Sequence, residues 1–90
     1  MTAYDAFKAA KGRRHKIAKE FITNVVYGAI QESIDKGQFS TSIAVADGKV
    51  LAAIEDVIAI LKESRFQVEF VQPIPGAPGY LDINYEVEEE

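Results

Sequence analysis

Residues 66–87 read FQVEFVQPIPGAPGYLDINYEV, and how this stretch divides decides the fold. Phe66, Val68 and Phe70 alternate with Gln67, Glu69 and Val71, the two-residue period of a strand with one covered face. Pro73 to Gly79 holds three prolines and two glycines in seven residues. Proline lacks an N–H and fixes φ, so this segment reads as a loop rather than a regular element. Alternation resumes from Tyr80 to Val87, with Leu81, Ile83, Tyr85 and Val87 on one side and Asp82, Asn84 and Glu86 on the other. Two strands across such a loop predict an antiparallel hairpin.

Working back from the hairpin, Asp47 is a helix N-cap, because its carboxylate can accept from free N–H groups of the first turn. Val50, Leu51, Ile54, Val57, Ile58 and Leu61 then form the apolar stripe of a helix ending near Ser64. Before it, Gln38 to Val45 sets Phe39, Thr41, Ile43 and Val45 against Ser40, Ser42 and Ala44, a first strand with a small, polar outer face. Thr2 with Asp5 three residues later predicts a capping box and a helix from about Ala3. Apolar residues recur at helical spacing from Tyr4 and Phe7 through Ile17, Phe21, Ile22, Val25, Val26 and Ile30 until Gly37 stops the pattern.

Left unbroken, that first helix of some 34 residues would be about 51 Å long, against a body about 30 Å across for a chain of this size. Either it bends near Gly12, or its first turns project beyond the body to meet another chain. The presence of Gly12 favours a bend or frayed arm, with the long helix running from about Arg13 to Lys36. The predicted class is α+β in the order α-β-α-β-β. Strands one and two, joined through a helix, are expected to be parallel with a right-handed crossover, and the residues leave open whether strand two lies at the centre or an edge. The result is a three-stranded mixed sheet with both helices packed on one face. The other face is expected to show Ser40, Ser42, Gln67, Glu69, Asp82, Asn84 and Glu86. The apolar arc of the first helix spans about half its circumference, wider than one sheet face requires, with Tyr27, Ile30 and Ile34 off its centre. A surplus of this kind is often covered by a second subunit, so a homodimer is expected.

Ninety residues with 48% hydrophobic content and nine aromatics make one domain over 1–90, with 1–12 as arm or helix extension and 88–90 as an acidic tail. The absence of cysteine excludes disulfides, thiolate nucleophiles and Cys-based zinc sites. No apolar run approaches the roughly 20 residues that span a bilayer, and no apolar segment follows the first charges as in a signal peptide. A cytoplasmic protein without membrane contact is expected.

Charge is sorted along the chain. Residues 1–37 carry seven basic and four acidic side chains, a balance of +3; residues 38–90 carry three and ten, a balance of −7. Fold does not require such a split, which bears on partners and solubility.

Catalytic patterns do not emerge. His15 is the single histidine, set among Arg13, Arg14 and Lys16, so as a base or metal ligand it would act alone. Ser40, Thr41 and Ser42 lack a Gly-x-Ser-x-Gly turn and a base. Asp82 and Glu86 share a strand face but stand roughly 13 Å apart, too far for paired acid–base work, and no second carboxylate pair is evident. The glycines match neither a P-loop nor a dinucleotide fingerprint. A non-enzymatic protein without a cofactor or metal is expected.

Two charged surfaces are candidates for binding. One is acidic: Glu55, Asp56, Glu69, Asp82, Glu86, Glu88, Glu89 and Glu90, with Glu63 nearby in sequence. If these merge, they can imitate a phosphate backbone and occupy the groove of a basic, DNA-binding protein. An ordinary acidic surface serving solubility is the plainer explanation. The other is basic: Lys11, Arg13, Arg14, Lys16 and Lys19, with Lys8, which can meet nucleic-acid phosphates. On a helical wheel these point all around the axis, and no aromatic interleaves to stack a base; a solvated collar pairing with acidic neighbours explains them as well.

Three segments, Gly37-x-Phe39-Ser40-Thr41-Ser42-Ile43, Leu61-Lys62-Glu63-Ser64-Arg65-Phe66-Gln67-Val68 and Leu81-Asp82-Ile83-Asn84-Tyr85, carry a resemblance. From Ile30 onward the pattern resembles small phage-encoded α+β proteins that accompany host takeover. In that pattern a glycine usually ends the second helix; here Arg65 holds its place, putting a side chain where a left-handed cap is expected. The resemblance implies a non-enzymatic protein that modifies a host protein by binding it, and it assigns a role to no residue. Together with the acidic half it makes a basic host protein, of the nucleoid or transcription machinery, the expected partner. Direct nucleic-acid binding through the first helix and a structural role in a virion are the alternatives.

Overall fold

The computed structural model describes residues 1–87, and the predicted tail Glu88–Glu90 lies outside them. Helix α1 (Ala3–Phe21) runs through a π-helical turn (Ile22–Val26) into α2 (Tyr27–Asp35). Strand β1 (Ser40–Val45) follows, then α3 (Gly48–Ala52), α4 (Ile54–Glu63), β2 (Gln67–Val71) and β3 (Gly79–Asn84). The class is α+β, and the α-β-α-β-β order holds with each helical stretch in two parts. The expected second helix is divided at Ala53, where φ is −102° and ψ 10°.

The helix caps follow the chemistry of their residues. Thr2 Oγ1 accepts from the Asp5 N–H, and Asp5 Oδ2 accepts from the Thr2 N–H, both at 3.1 Å, closing the capping box. Asp47 Oδ1 accepts from the Lys49 N–H at 2.8 Å. Gly37, at φ 74°, ends α2 with the Gln38 N–H on the Ser33 carbonyl and its own N–H on that of Ile34. Arg65 takes the same left-handed conformation after α4, at φ 68°. There the Phe66 N–H donates to the Leu61 carbonyl and the Arg65 N–H to that of Lys62. Both are Schellman closures, but only the first uses the residue without a Cβ penalty. Replacing Arg65 with Gly is expected to stabilise the fold by about 1 kcal/mol, read as a higher urea midpoint at unchanged slope.

The helix does not bend at Gly12. Its neighbours Ala9, Ala10, Lys11, Arg13 and Arg14 are all strong helix formers, which together outweigh a glycine penalty of about 1 kcal/mol. Lys8 and Lys11 also lie over the rings one turn back, 5.5 Å from the centroid of Tyr4 and 6.0 Å from that of Phe7. Every residue from Met1 to Lys16 is exposed, so these turns are not packed into the core but border an open groove beside α4, and the longest dimension with them is 52 Å.

The π turn accounts for part of the wide apolar arc. Ala18, Ile22, Val26, Ile30 and Ser33 are the buried positions, spaced four, four, four and three. In a regular α-helix each four-residue step overshoots a full turn by about 40°, so this set would spread around the axis. The Tyr27 N–H instead reaches back five residues to the Ile22 carbonyl, and the wider turn takes up the overshoot. Four of its five residues, Ile22, Thr23, Val25 and Val26, are β-branched, the type that crowds a preceding α-turn. The consequence is a correction: Ile30, at 7% exposed, belongs to the core, while Tyr27 and Ile34 remain at the surface.

The sheet is not the mixed one expected, and its strand order, left open by the residues, is β1-β3-β2. β3 lies between β1 and β2 and pairs antiparallel with both. The sheet is therefore wholly antiparallel rather than mixed, and β1 and β2, although parallel, do not touch. At the centre, Leu81 and Ile83 of β3 are 0% and 1% exposed, whereas the inward Val68 and Phe70 of the β2 edge are half-buried and β1 turns Thr41 inward. The hairpin loop is tightened by a turn at Ile74-Pro75-Gly76-Ala77, with Gly76 at φ 84° and the Ala77 N–H on the Ile74 carbonyl. That is the proline–glycine pairing a type II turn requires. The helices cover one sheet face, where Val50, Ala53, Ile54, Val57 and Leu61 meet Ile43, Val45, Leu81 and Ile83. No helix among the described residues is long and apolar enough to cross a membrane.

Candidate functional site: the uncovered sheet face

Because side chains alternate along a strand, covering one face leaves the other to solvent. The register arranges that outer face in three rows across β1, β3 and β2. Ala44, Tyr80 and Val71 form an apolar row; Ser42, Asp82 and Glu69 follow; Ser40, Asn84 and Gln67 complete it. Glu86 extends the surface past β3 on the same side, with Phe39 at the β1 border, 59% exposed. The seven outer-face residues expected from alternation all line this one shallow hollow.

The central row carries the charge. Asp82 Oδ1 accepts from the Ser42 hydroxyl at 2.6 Å, which ties that carboxylate to β1. On the other side Glu69 is its register partner, so two carboxylates stand directly opposite each other at a Cβ separation of about 4.5–5.5 Å. This is the carboxylate pair that spacing along one strand failed to show; Asp82 meets Glu69, not Glu86. Like charges directly opposite destabilise a sheet, and the described part of this face carries no basic side chain. At the lower border the Asn84 side chain accepts from the Glu86 N–H at 2.9 Å. The Tyr85 hydroxyl donates to the Gln38 carbonyl at 2.6 Å and the Tyr85 N–H to the Phe39 carbonyl at 2.9 Å, holding the chain beyond β3 to the start of β1. The Phe66 and Tyr85 rings meet edge to face, 6.4 Å apart.

The expected acidic surface is thus divided. Glu69, Asp82 and Glu86 share the open sheet face, whereas Glu55 and Asp56 belong to the first turn of α4 in the covering helix layer. Glu88, Glu89 and Glu90 lie outside the described residues. Among the described residues no three histidine, aspartate or glutamate side chains are grouped to hold a metal ion. On α1, Lys11, Arg13, Arg14, Lys16 and Lys19 are all exposed and lie on different sides of the axis. The ion pair among the described residues joins Lys36 to Glu32 at 3.3 Å, so among those residues the basic collar makes no ion pair with an acidic neighbour.

Chemically, the outer face offers adjacent fixed anions, flanking amide and hydroxyl groups, and an apolar shelf beside them. An open surface of this kind suits docking of a cation-bearing partner, since a guanidinium can bridge two neighbouring carboxylates. No protein-family model, no curated protein and no solved structure matches this chain.

Proposed function

We propose that this protein is a non-enzymatic binding module that takes a basic, nucleic-acid-binding protein on its uncovered sheet face. The observation that carries this reading is the opposition of Glu69 and Asp82 in the centre of that face. The folded chain tolerates a repulsion worth about 0.2–1 kcal/mol that a lysine or arginine from a partner would turn into attraction. Tyr80 and Val71, 42% and 51% exposed, supply apolar contact beside the charges, and Asn84 and Gln67 supply hydrogen bonds. The −7 balance after Gly37 adds longer-range attraction, which speeds encounter and falls with salt.

Calorimetric titration with a purified bacterial nucleoid protein tests the reading. Binding is expected to weaken with salt, and the pair E69Q and D82N is expected to lower affinity at least tenfold, about 1.4 kcal/mol. The same pair is expected to raise the melting temperature, because it removes the repulsion. Unchanged affinity in the variant sinks the proposal. Retention of duplex DNA by the protein alone, lost in R13A/R14A, would instead assign the activity to α1.

A further inference from the structure

The projecting turns of α1 carry an apolar stripe that remains exposed, flanked by Lys8 and Lys11 of the same helix. Tyr4 and Phe7 are 66% and 56% exposed. At about 100° per residue they lie on the side of the helix that buries Ala18 and Ile22 farther along. Across an open groove α4 faces them with Ala59 and Ile60. The two walls differ in charge: Lys8 and Lys11 stand on α1, Asp56 and Glu63 on α4. None of these pairs across the groove, since the ion pair among the described residues is the one on α2.

We infer that this groove receives the α1 arm of a second copy of the chain, forming a two-fold dimer by reciprocal exchange of arms. A two-fold contact requires a single patch complementary to itself. This patch meets the requirement, for it contains both a basic, aromatic arm and an acidic, aliphatic seat. In the dimer each arm sets Tyr4 and Phe7 on Ala59 and Ile60 of the other copy, and its lysines meet Asp56 and Glu63 there. In a two-fold pair the acidic seat of each copy meets the basic arm of the other, a reciprocal match that neither a nucleic acid nor a uniformly charged protein reproduces. The groove belongs to the helix layer and the acidic rows to the opposite sheet face, so either can fail without the other.

Sedimentation velocity on the full chain, with circular dichroism as the folding control, tests the exchange. Wild type is expected to sediment as a dimer at micromolar concentration. F7Q, at an exposed position, is expected to weaken the dimer at least tenfold with helicity unchanged. K8E/K11E makes both walls acidic and D56K/E63K makes both basic, so each alone is expected to be monomeric. An equimolar mixture is expected to dimerise, because every arm then meets a seat of opposite charge. A monomeric wild type, a dimer indifferent to F7Q, or a mixture that stays monomeric while both variants are folded overturns the inference.

Discussion

Deleting Gln31 is expected to abolish the cooperative fold, whereas deleting Asn24, seven residues earlier on the same helical column, is expected to leave it intact. Both residues are exposed, so neither deletion removes a buried side chain. The difference lies in helical phase. Removing Asn24 changes the spacing of Ala18, Ile22, Val26, Ile30 and Ser33 to four, three, four and three. A regular α-helix then holds all five within an arc of about 80°, and the π turn becomes unnecessary. Removing Gln31 acts below that turn. It rotates everything after Ile30 by about 100° about the axis, carrying the Gly37 closure and β1 with it. If β1 slips by one residue to compensate, Ile43 and Val45 turn to solvent. Exposing such a side chain costs about 1.5–3 kcal/mol, and a domain of this size has about 5–15 kcal/mol in total. Thermal unfolding followed by circular dichroism separates the two: a melting temperature within a few degrees of wild type for one deletion, no sigmoidal transition for the other. Equal loss in both would show that the π turn is not what aligns the stripe.

Gly79→Ala is expected to cost about 1–3 kcal/mol, the range for forcing an extra carbon into a packed site. Gly79 opens the central strand, buried opposite Val45. A Cβ there would lie 2.8 Å from Phe70 Cζ and 3.0 Å from the Val71 carbonyl oxygen. The ring can move, but the carbonyl belongs to the β2 backbone and yields only if the strands part. Pairing the substitution with Phe70→Leu removes the ring contact and leaves the carbonyl contact. The double variant is therefore expected to lose less than the sum of the single losses, a coupling of about 0.5–3 kcal/mol for residues in contact. Urea titration of the four proteins measures it, and strict additivity would rule out the ring as the source of strain.

Local chemistry was readable from the residues alone. The Thr2–Asp5 box, the Asp47 cap and the Gly37 stop each depend on side chains within a few positions of one another, whereas the left-handed position of Arg65 was expected only through the resemblance. Alternation likewise placed Glu69, Asp82 and Asn84 on the open face, because side-chain period within a strand is a backbone property. What depends on distant parts of the chain was not readable. Strand order turns on how all three strands divide the core between them, and β3 takes the centre, where Leu81 and Ile83 are fully buried. The opposition of Glu69 to Asp82 exists only through that register. The π turn escaped for another reason: a wheel drawn at constant pitch converts a local change of pitch into an apparent surplus at Ile30, while Val25, Tyr27 and Ile34 are exposed in fact.

The central position of β3 also governs when the protein can acquire its sheet. Neither β1 nor β2 has a strand to pair with until residues 79–84 exist, so a nascent chain ending before Gly79 contains helices but no ladder at all. Local helix formation takes microseconds or less, while the pairings of Ser40 with Asn84 and Val45 with Gly79 close loops of more than thirty residues. Folding is thus a late, concerted event in which one strand completes both halves of the sheet. Until then Ile43, Val45, Val68 and Phe70 remain uncovered together, the interval in which association between chains competes with folding.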